Sequence, residues 1–293
     1  MPGYYSRPAR LGRQARQLRR RQKGARDRGR QERLMGYYSA PRRFLRGLRQ
    51  LVYPRRCPFC GRVLGSIPEC PDCAQELDTL RRKPSMKLDP AKHYISNLSG
   101  GAAPFQYAGC VRQGVLRAKY QASPWAAVEL GVWMAKLVYG SEIRMCGAEP
   151  VPQKVDGVSR VYNAIVPVPP SGTKRGYNVP YLMALPLAEA TGVPLYENAL
   201  CRARKKKHQA GLPFYERVAN VAGAFRVTDP ELVERRNIIL VDDVLTTGTT
   251  AAACAQALLA DGAASVFVVT LATVEKDLAP LDAWKEDEQF PDI

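Results

Sequence analysis

With 293 residues and a hydrophobic fraction of 46%, the chain is long enough to bury a full core, and its length favours one large domain with an appendage. No run of eighteen or more apolar residues occurs, and the N-terminus lacks the apolar segment of a secretory signal, so the sequence predicts a cytoplasmic protein without a membrane span. Nearly all of the formal net charge of +17 lies in residues 1–56, which hold 17 Arg and one Lys against Asp27 and Glu32. A polyanionic partner is therefore expected to meet the N-terminus rather than the nearly neutral body.

Residues 1–50 are predicted to form a basic, disordered arm, because a chain of repeated arginines repels itself and cannot build a core. The arm is expected to bind RNA, DNA or an acidic lipid surface; the alternative is a solvated tail without a partner. Within it, GYYSRPAR (Gly3 to Arg10) recurs as GYYSAPRR (Gly36 to Arg43), directly after Met35. This repeat is typical of a duplicated or upstream-read extension over residues 1–34.

Residues 51–80 contain two CxxC pairs, CPFC and CPDC, separated by nine residues. Two such pairs supply the four thiolates of a tetrahedral structural zinc site, at about 2.3 Å from the ion. Gly61 follows the first pair and lets that turn adopt a positive φ. A redox CxxC site is the alternative, but redox chemistry needs only one pair. The spacing predicts a module that binds structural zinc, with no coordination position left for water, through Cys57, Cys60, Cys70 and Cys73.

A polar linker over residues 77–98 precedes alternating strands and helices, which predict an α/β domain over residues 99–275. The second predicted helix is apolar around most of its circumference, so it should be buried, with Trp125 and Trp133 in the core. Helices are expected at residues 109–121, 124–140, 181–191 and 251–263. Strands are expected at residues 102–108, 164–169, 223–227, 238–241 and 264–272. The pattern indicates a parallel sheet with helices on both faces, followed by an acidic tail at residues 276–293.

The segment VDDVLTTGTT joins an apolar strand to an alanine-rich helix through a turn of glycine and hydroxyl residues. Backbone N–H groups at the helix start and threonine hydroxyls form an anion-binding nest that suits a phosphate. Adjacent carboxylates repel a phosphate, so the acidic pair must serve vicinal hydroxyls, Mg²⁺ or both. The pattern predicts a phosphorylated-sugar site at the end of the strand; the alternative is a turn that only caps a helix. The predicted site residues are Asp242, Asp243, Thr246, Thr247, Gly248, Thr249 and Thr250.

This segment resembles the phosphoribosyl pyrophosphate (PRPP) signature of type I phosphoribosyltransferases. Together with the four cysteines, it makes the chain similar to the ComF family of competence-associated proteins. PFQYAGCVRQGVLRAKY, VPVPPSGTKRGYN and QAGLPFYERVANVAGAF match the family in the same order, so the resemblance covers residues 44–274. It implies a type I phosphoribosyltransferase-like parallel sheet flanked by helices, preceded by the small four-cysteine zinc-binding module and the basic disordered N-terminal arm.

The resemblance assigns a role to each part of the predicted site. Asp242 and Asp243 hold the ribose hydroxyls, and the loop of residues 246–250 holds the 5′-phosphate. Lys174 and Arg175 match the pyrophosphate-side loop, where positive charge neutralises the leaving pyrophosphate. This loop is shorter than the family's usual one, and Val179 stands where a glutamine usually follows the asparagine. The implied catalytic residues are Asp242, Asp243, Lys174 and Arg175.

Further positions match the family or stand out by residue type. Lys119 matches a family lysine, with an exposed helix lysine as the alternative. The two histidines, His93 and His208, are expected at the surface. A further stretch matches the family at Gln209, Leu212, Arg217 and Asn220. It either contacts the substrate or attaches a loop to the sheet.

The resemblance leaves two functions open. In the first, the protein is a Mg²⁺-dependent phosphoribosyltransferase that binds PRPP and transfers its phosphoribosyl group to an unknown acceptor. In the second, it is a non-catalytic zinc-containing protein that uses the fold as a scaffold or ligand sensor. The basic arm and the zinc module then bind single-stranded DNA or another nucleic acid. Both fit a role in DNA uptake and natural transformation, with competence proteins as partners.

Overall fold

The computed structural model of the chain describes residues 37–38, 54–170, 176–203 and 223–274. The basic arm and the acidic tail lie outside these ranges, except for Tyr37 and Tyr38. The described strands are β1 (Gly100–Ala102), β2 (Phe105–Gln106), β3 (Ile143–Cys146), β4 (Glu149–Pro152), β5 (Ala164–Pro167), β6 (Leu200–Arg202), β7 (Phe225–Val227), β8 (Asn237–Leu245) and β9 (Ser265–Thr273). The described α-helices are α1 (Pro71–Leu80), α2 (Gly109–Tyr120), α3 (Pro124–Tyr139), α4 (Val158–Val161), α5 (Val179–Thr191) and α6 (Thr249–Ala260).

The central sheet is parallel throughout, which confirms the predicted fold class. β5 pairs with β8, β8 pairs with β9, and β1 and β2 pair in turn along the other side of β9. The strand predicted over residues 102–108 is divided in two, because Ala103 N donates to Met86 O (2.9 Å) and Pro104 has no N–H to donate. Two antiparallel pairs, β3 with β4 and β6 with β7, lie outside this sheet.

Both faces of the sheet are covered by helices, because successive side chains of a strand point to opposite faces. In β8, Ile239 and Val241 belong to the core that includes α2, α3 and α5. Ile238 and Leu240 belong to the core that includes α6. A strand buried on both faces needs apolar residues at every position, and this explains the continuous run IILV.

Helix α3 is buried over most of its length, as its composition predicted. It packs so closely on α5 that a Cβ at Gly131 would lie 2.2 Å from Met183 O. Trp133 is partly buried and packs against the core that includes this helix. Trp125, in the first turn, is 36% exposed, so the predicted burial of Trp125 is wrong. Across the described ranges, no helix is both long and apolar enough to cross a bilayer.

The four-cysteine module packs directly on the α/β domain through an aromatic cluster. Phe59 contacts Trp133 of α3 and Phe105 of β2, with ring centroids 5.6 Å and 6.3 Å apart. A buried ion pair lies beside it, where Arg55 Nε and Nη2 donate to the two carboxylate oxygens of Glu129 at 2.9 and 3.0 Å. The module therefore shares its core with the first helices of the α/β domain.

The segment predicted as a polar linker, residues 77–98, is folded. Helix α1 continues to Leu80, and Leu88 and Ile95 are buried. Leu88 N donates to Gly101 O (2.9 Å) in β1. The apolar residues of this segment stand among polar ones without a regular period, so only their contacts with distant strands reveal their burial.

Candidate functional site

The four cysteines lie on two tight turns that face each other. In the first turn, Cys57 N donates to Arg62 O (2.7 Å) and Gly61 N donates to Cys57 O (3.0 Å). Gly61 has φ +84°, as predicted for this position. In the second turn, Cys73 N donates to Cys70 O (3.2 Å), and α1 begins directly after Cys70. The backbone of both turns thus directs the cysteine side chains to one point.

The spacing of the four sulfurs fits a tetrahedral metal ion. The Sγ atoms of Cys57 and Cys73 are 3.8 Å apart, those of Cys60 and Cys70 are 3.7 Å apart, and all four lie within 4.8 Å of one another. Four sulfurs at about 2.3 Å from one ion have edges of about 3.8 Å. Burial raises the pKa of the Cys57 thiol to about 11, so its thiolate needs a cation to be stable. Four protein ligands leave no coordination position for water.

The predicted phosphate loop, residues 246–250, joins β8 to α6, and α6 begins at Thr249. Gly248 has φ +86°, and a Cβ at this position would lie 2.9 Å from Ile95 Cγ2, so the turn requires glycine. The hydroxyls of Thr247 and Thr249 are 3.0 Å apart. The first-turn N–H groups of α6 have no carbonyl partner inside the helix. The loop therefore combines hydroxyl donors with the positive end of a helix dipole.

Residues 93–97 hold this loop from one side. Tyr94 N donates to Thr247 O (2.8 Å), and His93 Nδ1 donates to Thr246 O (3.0 Å). In a trans peptide the N–H points away from the C=O. The two N–H groups that follow these carbonyls therefore point away from residues 93–97, as an anion-binding nest requires.

His93 is 2% exposed, so the expectation of a surface histidine is wrong. Its Nε2 lies 3.2 Å from Thr273 Oγ1 at the end of β9. Asn97 extends the attachment, because its Nδ2 donates to Ala252 O in the first turn of α6 (2.7 Å). No local pattern marks His93, since its partner Thr246 is 153 positions away in the chain.

The two aspartates point to opposite faces of the sheet, because they are successive residues of β8, which continues to Leu245. Asp243 is 6% exposed, and its Oδ1 lies 2.8 Å from Lys119 Nζ of α2. Burial lowers the pKa of Lys119, but the charge and hydrogen bond of Asp243 and the charge of Asp242 together raise it by more, so the net shift is upward. Lys119 is thus held inside the site, and its alternative interpretation as an exposed helix lysine is wrong.

Asp242 is half-buried on the other face. Burial and the adjacent Asp243 charge raise the pKa of its carboxyl to about 7. The hydrogen bond that its Oδ1 accepts from Asp243 N (2.9 Å) and the charges of Lys119 and Arg202 act in the opposite direction. Arg202 stands at the end of β6, where its Nε donates to Pro170 O (3.1 Å). The site therefore joins an ion-paired carboxylate to one that titrates near neutral pH.

The remaining predicted positions are divided between the described residues and those outside them. Lys174 and Arg175 lie outside the described ranges, as do His208 and the matched positions Gln209, Leu212, Arg217 and Asn220. Two residues that follow Arg175, Tyr177 and Asn178, attach this part of the chain to the α/β domain through side-chain hydrogen bonds. Tyr177 donates its hydroxyl to Ala118 O (2.8 Å), and Asn178 Nδ2 donates to Val168 O (3.0 Å).

Similar proteins carry names that concern DNA utilization or competence. The chain is 39% identical over 95 residues to "DNA utilization protein YhgH" of Salmonella typhi, and the same identity and length hold for YhgH of Escherichia coli (strain K12). These matches span 32% of this chain and 41% of each relative, so less than half of the relatives' length is covered. "Competence protein F" of Haemophilus influenzae is 29% identical over 208 residues, 66% of this chain and 80% of the relative. No protein-family model matches the chain.

Solved structures with partial likeness include the allosteric regulatory enzyme of purine biosynthesis, with 22% identity and a TM-score of 0.32 over 51% of this chain and 26% of that one. TT1426 from Thermus thermophilus has 15% identity and a TM-score of 0.26, over 53% of this chain and 86% of that one.

Proposed function

We propose that this chain, which belongs to the ComF family, binds PRPP together with Mg²⁺ between β8 and α6. The observation that carries the proposal is the nest at the start of α6. The carbonyls of Thr246 and Thr247 face residues 93–97, so the N–H groups that follow these carbonyls face the opposite way. A 5′-phosphate fits these donors. Asp242 and Asp243 lie directly before the loop and are assigned to the ribose side. We propose zinc as the ion of the four-cysteine module and the cytoplasm as the location.

We further propose that the protein is a phosphoribosyltransferase whose acceptor is unknown. An acceptor nucleophile attacks the anomeric carbon, and the bond from that carbon to the pyrophosphate oxygen breaks. The pyrophosphate leaves with the bonding electrons, and Lys174 and Arg175 are proposed to neutralise its charge. Mg²⁺ would add positive charge at the pyrophosphate oxygens. The acceptor's proton passes to solvent.

The test is titration calorimetry of Mg²⁺ and PRPP into the zinc-loaded protein and into the double variant Asp242→Asn/Asp243→Asn. Hydrogen bonds to a charged group contribute about 1.5–3 kcal/mol each, so the variant is expected to bind at least about a hundredfold more weakly. Asp261→Asn, at the opposite end of α6, is the matched control and should bind like the wild type. Absence of binding by the wild-type protein would contradict the proposal.

A second readout comes from pH. Since the pKa of Asp242 is raised to about 7, its ionised fraction increases between pH 6 and pH 8, and the ionised carboxylate accepts hydrogen bonds from ribose hydroxyls more strongly than the protonated carboxyl does. The affinity for PRPP is expected to increase over this window. Asp242→Asn should lose the part of the increase that this carboxyl causes. An identical increase in the variant would assign the pH dependence to another group.

A role in DNA uptake is the second proposal, with single-stranded DNA and competence proteins as partners. The names of the relatives and the arginine-rich N-terminus support it. It is compatible with PRPP binding, and it also accommodates a protein that uses the fold as a scaffold or ligand sensor without catalysis.

We expect single-stranded DNA affinity to fall as salt increases, with the arm as the main contributor. In a full-length variant with Arg19, Arg20, Arg21, Arg26 and Arg28 changed to glutamine, the slope of log K against log salt should decrease by up to about 3.5, or about 0.7 for each charge. The same five positions changed to lysine are the control and should keep the wild-type slope. Equal slopes in all three proteins, measured by fluorescence anisotropy, would exclude the arm as the DNA contact.

A further inference from the structure

We propose that Lys119 is a positioning residue that acts as the built-in cation of the acidic pair. It neutralises Asp243 and leaves Asp242 as the carboxylate that meets the ligand and its metal ion. This inference rests on the proposed PRPP site and makes it more specific, because it assigns unequal roles to two adjacent aspartates. The metal ion is then brought to the site by the ligand rather than held there in advance by both carboxylates.

The first argument is geometric. Asp242 and Asp243 are consecutive residues of β8, so their side chains leave the strand on opposite faces of the sheet. Asp242 Oδ1 accepts a hydrogen bond from Asp243 N (2.9 Å), whereas the Asp243 carboxylate lies on the side of α2, so one ion cannot easily contact both. Asp243 points toward α2, where Lys119 Nζ lies 2.8 Å from its Oδ1. The two side chains are only 9% and 21% exposed, so the pair is shielded from solvent and from screening by salt.

The second argument is that α2 is attached at its start and near its end, so the backbone that carries Lys119 is held in place beside Asp243. At its start, Cys110 N donates to Glu76 Oε1 of α1 (3.0 Å). Near its end, Arg117 Nη1 donates to Cys57 O (3.3 Å). Ala118 O accepts from Tyr177 (2.8 Å). These three attachments hold the backbone next to Lys119 against the four-cysteine module and the start of α5.

The third argument concerns charge. PRPP carries phosphate groups at both ends, and two bare carboxylates beside it would repel it. A lysine that cancels one carboxylate reduces that repulsion without a metal ion. Mg²⁺ keeps several waters and is usually bound through one or two carboxylates plus substrate phosphates. One available carboxylate, Asp242, is sufficient for this mode of binding.

The test measures metal binding without PRPP. Mn²⁺ replaces Mg²⁺, because its free form is counted by electron paramagnetic resonance, and the zinc-loaded full-length protein is used throughout. Lys119→Met removes the ammonium and keeps the length of the side chain. Lys119→Met should bind Mn²⁺ at least about tenfold more tightly than the wild type, because Asp243 loses its competing cation. Lys119→Met/Asp243→Asn should return to the wild-type affinity, and Lys119→Arg should stay close to it.

PRPP binding provides the second readout. In the presence of Mg²⁺, Lys119→Met is expected to bind PRPP more weakly than the wild type, whereas Lys119→Met/Asp243→Asn should recover most of the loss. A merely structural role of Lys119 also predicts recovery in the double variant, because removing both partners relieves the unpaired buried charge. The Mn²⁺ affinity separates the two roles, since a structural role does not predict that Lys119→Met binds Mn²⁺ more tightly. Thermal unfolding of each variant identifies any that fails to fold. If Lys119→Met does not fold, the comparison of Lys119→Arg with the wild type replaces it.

Equal Mn²⁺ affinity of the wild type and Lys119→Met would overturn the inference. Tight Mn²⁺ binding by the wild type that is lost in Asp243→Asn would also overturn it, since Asp243 would then hold a metal in spite of the lysine. The proposed function fails differently: the wild type would not bind PRPP under any condition. The Mn²⁺ comparison needs no PRPP, so the two failures are distinguishable.

Discussion

Replacing Cys57 by serine is expected to unfold the four-cysteine module and to lower the unfolding temperature of the whole protein by at least about 10 °C. For a domain of 150–250 residues, each 1 kcal/mol lost lowers that temperature by about 2–4 °C. Structural zinc in small modules contributes about 10–16 kcal/mol of binding free energy. Loss of one ligand forfeits a large part of this stabilisation, and it leaves the three remaining thiols without a complete tetrahedral site.

The effect should extend beyond the module because the module and the α/β domain share one core. Cys57 is 1% exposed, and its carbonyl accepts a hydrogen bond from Arg117 of α2. The neighbouring Phe59 packs on Trp133 of α3. Loosening the turn at Cys57 therefore withdraws packing partners from both helices, and Lys119 lies on one of them.

The measurement is thermal unfolding followed by circular dichroism, together with the zinc content of the purified protein. Cys201→Ser is the matched control, because Cys201 lies on β6, away from the four cysteines, and should leave both quantities unchanged. If Cys57→Ser retained one equivalent of zinc and the wild-type unfolding temperature, the module would not be a structural metal site.

Glu129→Ala is expected to lower the free energy of unfolding by about 3–5 kcal/mol, the usual cost of removing one partner of a buried ion pair. Arg55 is 8% exposed and would keep its positive charge in the core without a carboxylate. Its remaining contacts are the carbonyls of Ile67 and Pro68 (2.5 and 3.1 Å). These cannot neutralise the charge.

A double variant separates the loss of pairing from the loss of packing. Burial raises the pKa of the Glu129 carboxyl to about 7, against the pull of Arg55, so desolvation offsets much of the ion pair's attraction. Arg55→Met/Glu129→Met removes both charges and retains apolar volume, and it should be markedly more stable than Glu129→Ala. Urea unfolding of the three proteins measures the difference. A double variant as unstable as Glu129→Ala would show that packing, not the unpaired arginine, causes the loss.

Several elements were predictable because their determinants are local. Helices α2 and α3 were predicted to within one residue, with Pro124 at the first turn and Gly140 in a left-handed conformation after the last. The sequence predicted β9 to within one residue at each end. The strand β8 was predicted too short, because its polar end, from Asp242 to Leu245, does not read as an apolar run although it still pairs with β9.

The sequence by itself determined which residues make up the two candidate sites: two CxxC pairs, and a glycine-containing hydroxyl turn between a buried strand and a helix. Each depends on residues close together in the chain. Only the tertiary structure decided how these parts are held: His93 behind the loop of residues 246–250, Lys119 against Asp243, and Phe59 against Trp133. These contacts join residues far apart in the chain, and packing rather than local periodicity selects them. The folded sheet therefore makes the two adjacent aspartates chemically different, although the sequence presents them as equals.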